Sequence, residues 1–118
     1  MKLKIFTSTE TLSLAVEDAK RVTKEMYEQG YEAVNLEMSE KSDFLGGGYK
    51  YVLKIKYDLT ENPTLYQIDF VENCESYQEA IEKLEEISCN RGYEAICICD
   101  CTSIFEGTVV SGVVLINP

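Results

Sequence analysis

The chain has 118 residues, 45% of them apolar and 27% charged, enough for one compact domain with its own core. Eleven basic residues face twenty-one acidic ones, a formal net charge of −10, which argues against direct nucleic-acid binding because phosphate neutralisation supplies most of that affinity. There is no histidine, which excludes Ser-His-Asp and Cys-His arrangements and removes the commonest general base. The carboxylates are plentiful, but no pair stands out as catalytic, and a non-enzymatic role is expected.

In chain order, "KLKIF" (2–6) reads as a strand. A helix follows between about residues 10 and 29, since Leu12, Ala15, Val16, Ala19, Val22 and Met26 recur at helical spacing. Its start is set by a Thr7/Glu10 capping box or lies at Ser13, and Gly30 is expected as its left-handed cap. "EAVNLEMS" (32–39) and "YKYVLKIKY" (49–57) read as strands. The "GGG" between them (46–48) leads into a strand rather than a helix, so it reads as a hairpin turn and not a phosphate loop. "DLTENP" (58–63) is a short polar turn, and "TLYQIDFV" (64–71) is the next strand. A second helix runs from about 77 to 91. It has a Ser76/Glu79 capping box, an apolar stripe of Tyr77, Ala80, Ile81, Leu84 and Ile87, and Gly92 as its expected cap. "EAICICDC" (94–101) and "TVVSGVVLIN" (108–117) complete the strands.

The chain is written twice. "EQGYEAVNLEMS" (28–39) and "NRGYEAICICDC" (90–101) share Gly-Tyr-Glu-Ala, with glycines at 30 and 92. "DFLGGGYKYVLKIKYD" (43–58) lies over "SIFEGTVVSGVVLINP" (103–118) at an offset of 60, which makes the second hairpin two residues shorter. The expected fold is α+β: a single domain of tandem duplicated βαββ units (1–60 and 61–118), with a largely antiparallel sheet and two helices on one face. A ferredoxin-like βαββαβ core with added strands is the alternative.

Strand alternation assigns the faces. In the first copy Val34, Leu36 and Met38, with Tyr51, Leu53, Ile55 and Tyr57, are expected to face the helix. Asn35, Glu37, Ser39, Lys50, Val52, Lys54 and Lys56 then point away. Transferred to the second copy, this pattern puts Ile96, Ile98, Ser111, Val113 and Leu115 under the helix. Cys97, Cys99, Cys101, Val110, Gly112, Val114 and Ile116 fall on the outer face. Such an apolar face is not expected to meet water: either a partner covers it, or the sheets curl so that part of the chain does. Same-face cysteines along a strand are roughly 6.6–7 Å apart, whereas tetrahedral zinc needs sulfurs roughly 3.8 Å apart. No metal and no cofactor are therefore expected, and Glu94 and Asp100 make the surroundings unfavourable for a reactive thiolate. Two apolar pairs, Phe44/Leu45 and Ile104/Phe105, sit at equivalent turns and either fold over their own core or touch a partner. Tyr31 and Tyr93 recur at one repeat position and are expected at the helix–strand junction with their hydroxyls at its edge.

Strand, helix, long strand, long strand within about sixty residues resembles the dodecins and similar small βαββ modules, in each half separately. The resemblance implies a homo-oligomer. Dodecins hold flavin against a strand tryptophan; this chain has no tryptophan, and no site residue carries over.

The expected function is that of an acidic protein-interaction or inhibitor module. It acts as an oligomer, simplest as a homodimer, or on a basic protein partner such as one that binds nucleic acid. The candidate interface is Cys97, Cys99, Cys101, Val110, Val114 and Ile116, with Phe44, Leu45, Ile104 and Phe105. A small-ligand binder or sequestering protein with a pocket between protomers is the alternative. No apolar run approaches the 18 or so residues that cross a membrane. The opening residues do not read as a signal peptide, and five cysteines without an export signal fit reduced thiols in the cytoplasm.

Overall fold

In the computed structural model, which describes residues 2–8, 11–42, 49–103 and 107–118, both halves run strand, helix, strand, strand. The elements are β1 (Lys2–Ser8), α1 (Leu12–Glu28), β2 (Tyr31–Ser42), β3 (Tyr49–Leu59), β4 (Gln67–Cys74), α2 (Tyr77–Ser88), β5 (Tyr93–Ser103) and β6 (Gly107–Ile116). They form two antiparallel three-stranded sheets, β1-β3-β2 and β4-β6-β5, with the same strand order in each half. The fold is α+β, as the sequence leads one to expect.

The helices form where the stripes place them. Leu12, Ala15, Val16, Ala19 and Met26 of α1 are buried, and so is Thr23. At the end of α1, Gly30 has φ +90° and its N–H bonds the Tyr27 carbonyl at 3.0 Å, a conformation glycine adopts without penalty. The start of α1 differs from both expectations. Thr11 is the N-cap without a side-chain cap bond, and the Leu12 N–H donates to Glu72 Oε2 of β4 at 3.2 Å. The cap comes from the other half of the molecule. In α2, Ser76 caps as expected, accepting the Glu79 N–H at 3.1 Å, while Glu79 accepts the Glu75 N–H at 2.7 Å. This helix stops earlier than expected. Cys89 and Asn90 both turn left-handed, at φ 47° and 65°, so Gly92 is not its cap.

The first sheet follows the expected alternation. Tyr51, Leu53, Ile55 and Tyr57 are at most 1% exposed under α1, joined by Leu36. Asn35, Glu37, Ser39, Lys50 and Lys54 are exposed on the opposite face. Val34 departs from its assignment, because it is skipped by a bulge between Ala33 and Asn35.

The second hairpin corrects the sequence reading. Leu36 pairs with Ile55, 19 residues on, whereas the equivalent Ile98 pairs with Gly112, 14 residues on. The second connection is thus five residues shorter, not two. That slip of three is odd, and an odd slip exchanges the faces of a strand. Val110, Val114 and Ile116, expected outside, are at most 1% exposed and pack with Ala80 and Leu84 of α2. Gly112 lies on the same face: a Cβ there would meet Leu84 Cδ1 at 2.8 Å and the Cys97 carbonyl at 3.2 Å, so glycine admits the helix at this point. Val113 and Leu115, expected beneath α2, instead join Ile68, Phe70 and Cys97 in the core that α1 and the first sheet build.

Each helix therefore covers one face of its own sheet, but the two do not share a face across the molecule. The β4-β6-β5 sheet has α2 on one side and α1 with the first sheet on the other. Edge strands β2 and β5 run side by side, in separate hydrogen-bonded sheets. Of the two expected alternatives for the apolar face, the chain itself supplies the cover.

A lysine at Val114 forces a longer, charged side chain into a fully buried position against Ala80 and Leu84; even with Asp69 across the strand, overpacking alone costs about 1–3 kcal/mol, a large share of the roughly 5–15 kcal/mol that holds a domain together. We expect Val114→Lys to unfold the second half, and Val52→Lys, on the open face of β3, to change stability by less than about 0.5 kcal/mol. Urea denaturation followed by circular dichroism distinguishes them; a folded Val114→Lys protein would overturn the register.

Candidate functional site

The sequence candidates separate into three groups. Val110, Val114 and Ile116 lie beneath α2. Phe44, Leu45, Ile104 and Phe105 lie outside the described residues. Cys97, Cys99 and Cys101 do point away from α2, as alternation requires, and the chain's other half covers them: Cys97 packs in the α1 core and Cys101 is 9% exposed.

This cover holds a polar seam between the two halves. Leu36, Met38 and Glu40 share a face of β2, so Glu40 points into the interior opposite Tyr51 and is 7% exposed. Around it stand Tyr51 of β3, Glu72 of β4, Cys99 of β5 and Ser111 of β6. The Cys99 thiol approaches Glu40 Oε2 at 3.7 Å. The Tyr51 hydroxyl donates to Glu72 Oε2 at 3.3 Å, the same oxygen that caps α1. Among the described residues, Glu40 Oε1 and the Ser111 hydroxyl have no hydrogen-bond partner, a costly state for buried polar atoms.

The electrostatics follow from burial. Desolvation raises the Glu40 pKa, and the nearby Glu72 carboxylate adds to it, against the opposing pull of Tyr51, Cys99 and Ser111. Burial likewise pushes the Cys97 thiol up to about 11. Cys99 goes up to about 12, by burial first and by Glu40 next. Thiols held in the neutral form are poor nucleophiles and poor metal ligands. Among the described residues no group of three or more Cys, Asp or Glu side chains is placed to hold a metal ion. The seam joins the halves, since Glu72 Oε2 accepts from both the Leu12 N–H and the Tyr51 hydroxyl.

The second feature is the outer face of α2. Residues 61–118 contain eleven acidic and two basic residues, a net −9, whereas residues 1–60 contain ten and nine, a net −1. Nearly all the net charge thus belongs to the second half. Glu75, Glu82, Glu85 and Glu86 are exposed on or beside α2, and Asp69 and Asp100 stand on the strand face that α2 covers. One cation answers them within the helix, Lys83, whose ammonium lies 3.0 Å from Glu79. The exposed ring of Tyr77 projects among them, its hydroxyl pKa raised by Asp100. In the sequence, the count of charges by half is the signal that picks out this row.

Comparison with known protein families, with curated proteins and with solved structures finds no match.

Two outcomes follow. A carboxyl whose pKa is raised by folding contributes stability that is full below the ordinary carboxylate range and is lost as pH rises through its folded value. Between about pH 4 and pH 8, below the range of ordinary thiols, the stability that Glu40 contributes should fall with rising pH. Glu40→Gln should remove that loss and be more stable at neutral pH by on the order of 1 kcal/mol, as urea denaturation at several pH values will show; parallel profiles for the two proteins would refute the buried carboxyl. Separately, only Cys89 of the five cysteines is exposed. A thiol-specific reagent at neutral pH should label one cysteine quickly and the other four only on unfolding, and rapid labelling of Cys97 or Cys99 would contradict the cover described above.

Proposed function

We propose that this chain is a non-enzymatic acidic interaction module that uses the outer face of α2 to hold a basic protein surface. The target is of the kind that would otherwise bind nucleic-acid phosphates, so occupying it inhibits that protein. The observation that carries this reading is the gathering of nine of the ten net negative charges in the half that bears α2.

Helix stability does not explain the row. Glu85 and Glu86 occupy the last turn of α2, which has no basic residue. Negative charge at a helix C-terminus opposes the macrodipole, at a cost of about 0.3–1 kcal/mol each. Residues that work against their own helix and face outward act through something outside it. Charges so arranged raise association rates and select partners by complementary potential. Tyr77 supplies the aromatic contact that interface centres favour.

The test is affinity capture from the source cell with the wild-type chain and with Glu82→Lys/Glu85→Lys/Glu86→Lys, both checked for folding by circular dichroism. The wild type should retain a strongly basic protein in stoichiometric amount. It should release that protein as salt rises from about 0.1 to about 1 M, where the screening length falls from about 10 to about 3 Å. The variant should retain none. Equal capture by both chains, or a partner that is not basic, would refute the assignment to α2.

A further inference from the structure

A cleft of about 400 Å³ opens where α1, from the first half, meets the segment that enters β4, from the second. That volume lies in the range of about 300–1,000 Å³ typical of small-molecule sites. Its apolar walls are Leu65, Tyr66, Ile68 and Pro118. Leu65 is left 38% exposed, while Ile68 is 2% exposed and belongs to the core.

The polar groups of the cleft divide into two kinds. Thr23 and Gln67 are already engaged: the Thr23 hydroxyl lies 2.6 Å from the Tyr57 hydroxyl, and Gln67 Oε1 accepts from the Arg91 guanidinium at 3.1 Å. Lys20 and Lys24 are one helical turn apart and so lie on one face of α1. Lys20 meets Glu17 at 3.8 Å, with both side chains well exposed. An exposed pair of this kind is weak and readily exchanged. Among the described residues Lys24 has no ion-pair partner. At the Tyr66 wall the sign reverses, since Glu32 and Glu94 lie near enough to raise the tyrosine's pKa beyond the effect of its burial. The cleft is apolar along its walls, cationic on its helix side and anionic near Tyr66.

We propose that this cleft binds a small amphipathic anion: an apolar body of ring or short-chain size lying against Leu65, Tyr66 and Ile68, with one carboxylate, sulfonate or phosphate directed to Lys20 and Lys24. The polarity sets the orientation, because the carboxylates near Tyr66 repel an anionic head at that end. A chain of net charge −10 disfavours anions over most of its surface, so two lysines beside an apolar cleft make a local exception. The site lies on α1 and β4 and does not depend on the acidic face of α2.

The probes are anilinonaphthalene sulfonate, an anion whose fluorescence rises in apolar surroundings, and N-phenylnaphthylamine, a neutral molecule with the same ring system. Titration of the folded full chain should give saturable one-site binding of the sulfonate. Lys20→Gln and Lys24→Gln should each weaken it by up to about fivefold, the scale of an exposed charge pair, and change the neutral probe's affinity less than twofold. Leu65→Trp should fill the cleft and abolish both signals. Amide chemical-shift changes on adding the sulfonate should gather at Thr23, Leu65 and Ile68. Unsaturable fluorescence, equal effects of the lysine variants on both probes, or undiminished binding by a folded Leu65→Trp protein would each overturn the proposal.

Discussion

The structure depends on one strand having both faces buried. Residues 110–116 of β6 form an unbroken buried run. Val110, Val114 and Ile116 seat α2, and Val113 and Leu115 close the core of α1 and the first sheet. A strand covered on both faces reads as continuous apolar sequence rather than as an alternation. Each such valine, leucine or isoleucine contributes roughly 1.5–3 kcal/mol relative to exposure. The same strand therefore packs against both halves. The first copy's counterpart, β3, keeps Lys50 and Lys54 exposed on its outer face.

Covering a sheet face with another sheet brings polar groups inward with it, and the seam around Glu40 and Glu72 is the consequence. One carboxylate oxygen of Glu72 serves the first amide of α1 and the Tyr51 hydroxyl together. A negative charge at a helix N-terminus is favourable, so this residue ties β4 to α1 and β3 at once. Glu40 is less well served, with one oxygen unpartnered among the described residues. A buried group of that kind costs stability. This polar seam and the shared apolar strand act on the same interface, one setting its strength and the other its alignment.

Much of this was readable in the amino acids. Period-3.6 stripes located both helices, the Ser76/Glu79 pair marked the start of α2, and period-2 alternation sorted the faces of β2 and β3. What failed has a physical cause. A strand buried on both faces carries no alternation, so nothing local reports which of its residues face the helix. The faces of β6 were taken from an alignment to β3 that was wrong by an odd number of residues. The carboxylate seam was half visible: Glu40 continues the inward series of Leu36 and Met38, and Glu72 that of Ile68 and Phe70. Their partners lie far along the chain, Glu72 and Leu12 being 60 positions apart, and a pairing at that distance leaves no local signal. The α1/β4 cleft is likewise a product of tertiary packing, since its lysines and its apolar wall come from different halves.

The two halves, alike in topology, have diverged in what they present to solvent. The first is nearly neutral, with lysines on the open sheet face and at the cleft; the second is strongly acidic, with Glu75, Glu79, Glu82, Glu85 and Glu86 on or beside α2. A symmetric pair of acidic surfaces would repel a like chain from either side. An asymmetric one carries its negative potential on one face and leaves the open face of the first sheet with charges of both signs, Glu37 among Lys50 and Lys54. The divergence follows from the burial of β6. With both faces of its sheet covered, the second half displays the outer surface of α2, where Glu82, Glu85 and Glu86 are exposed.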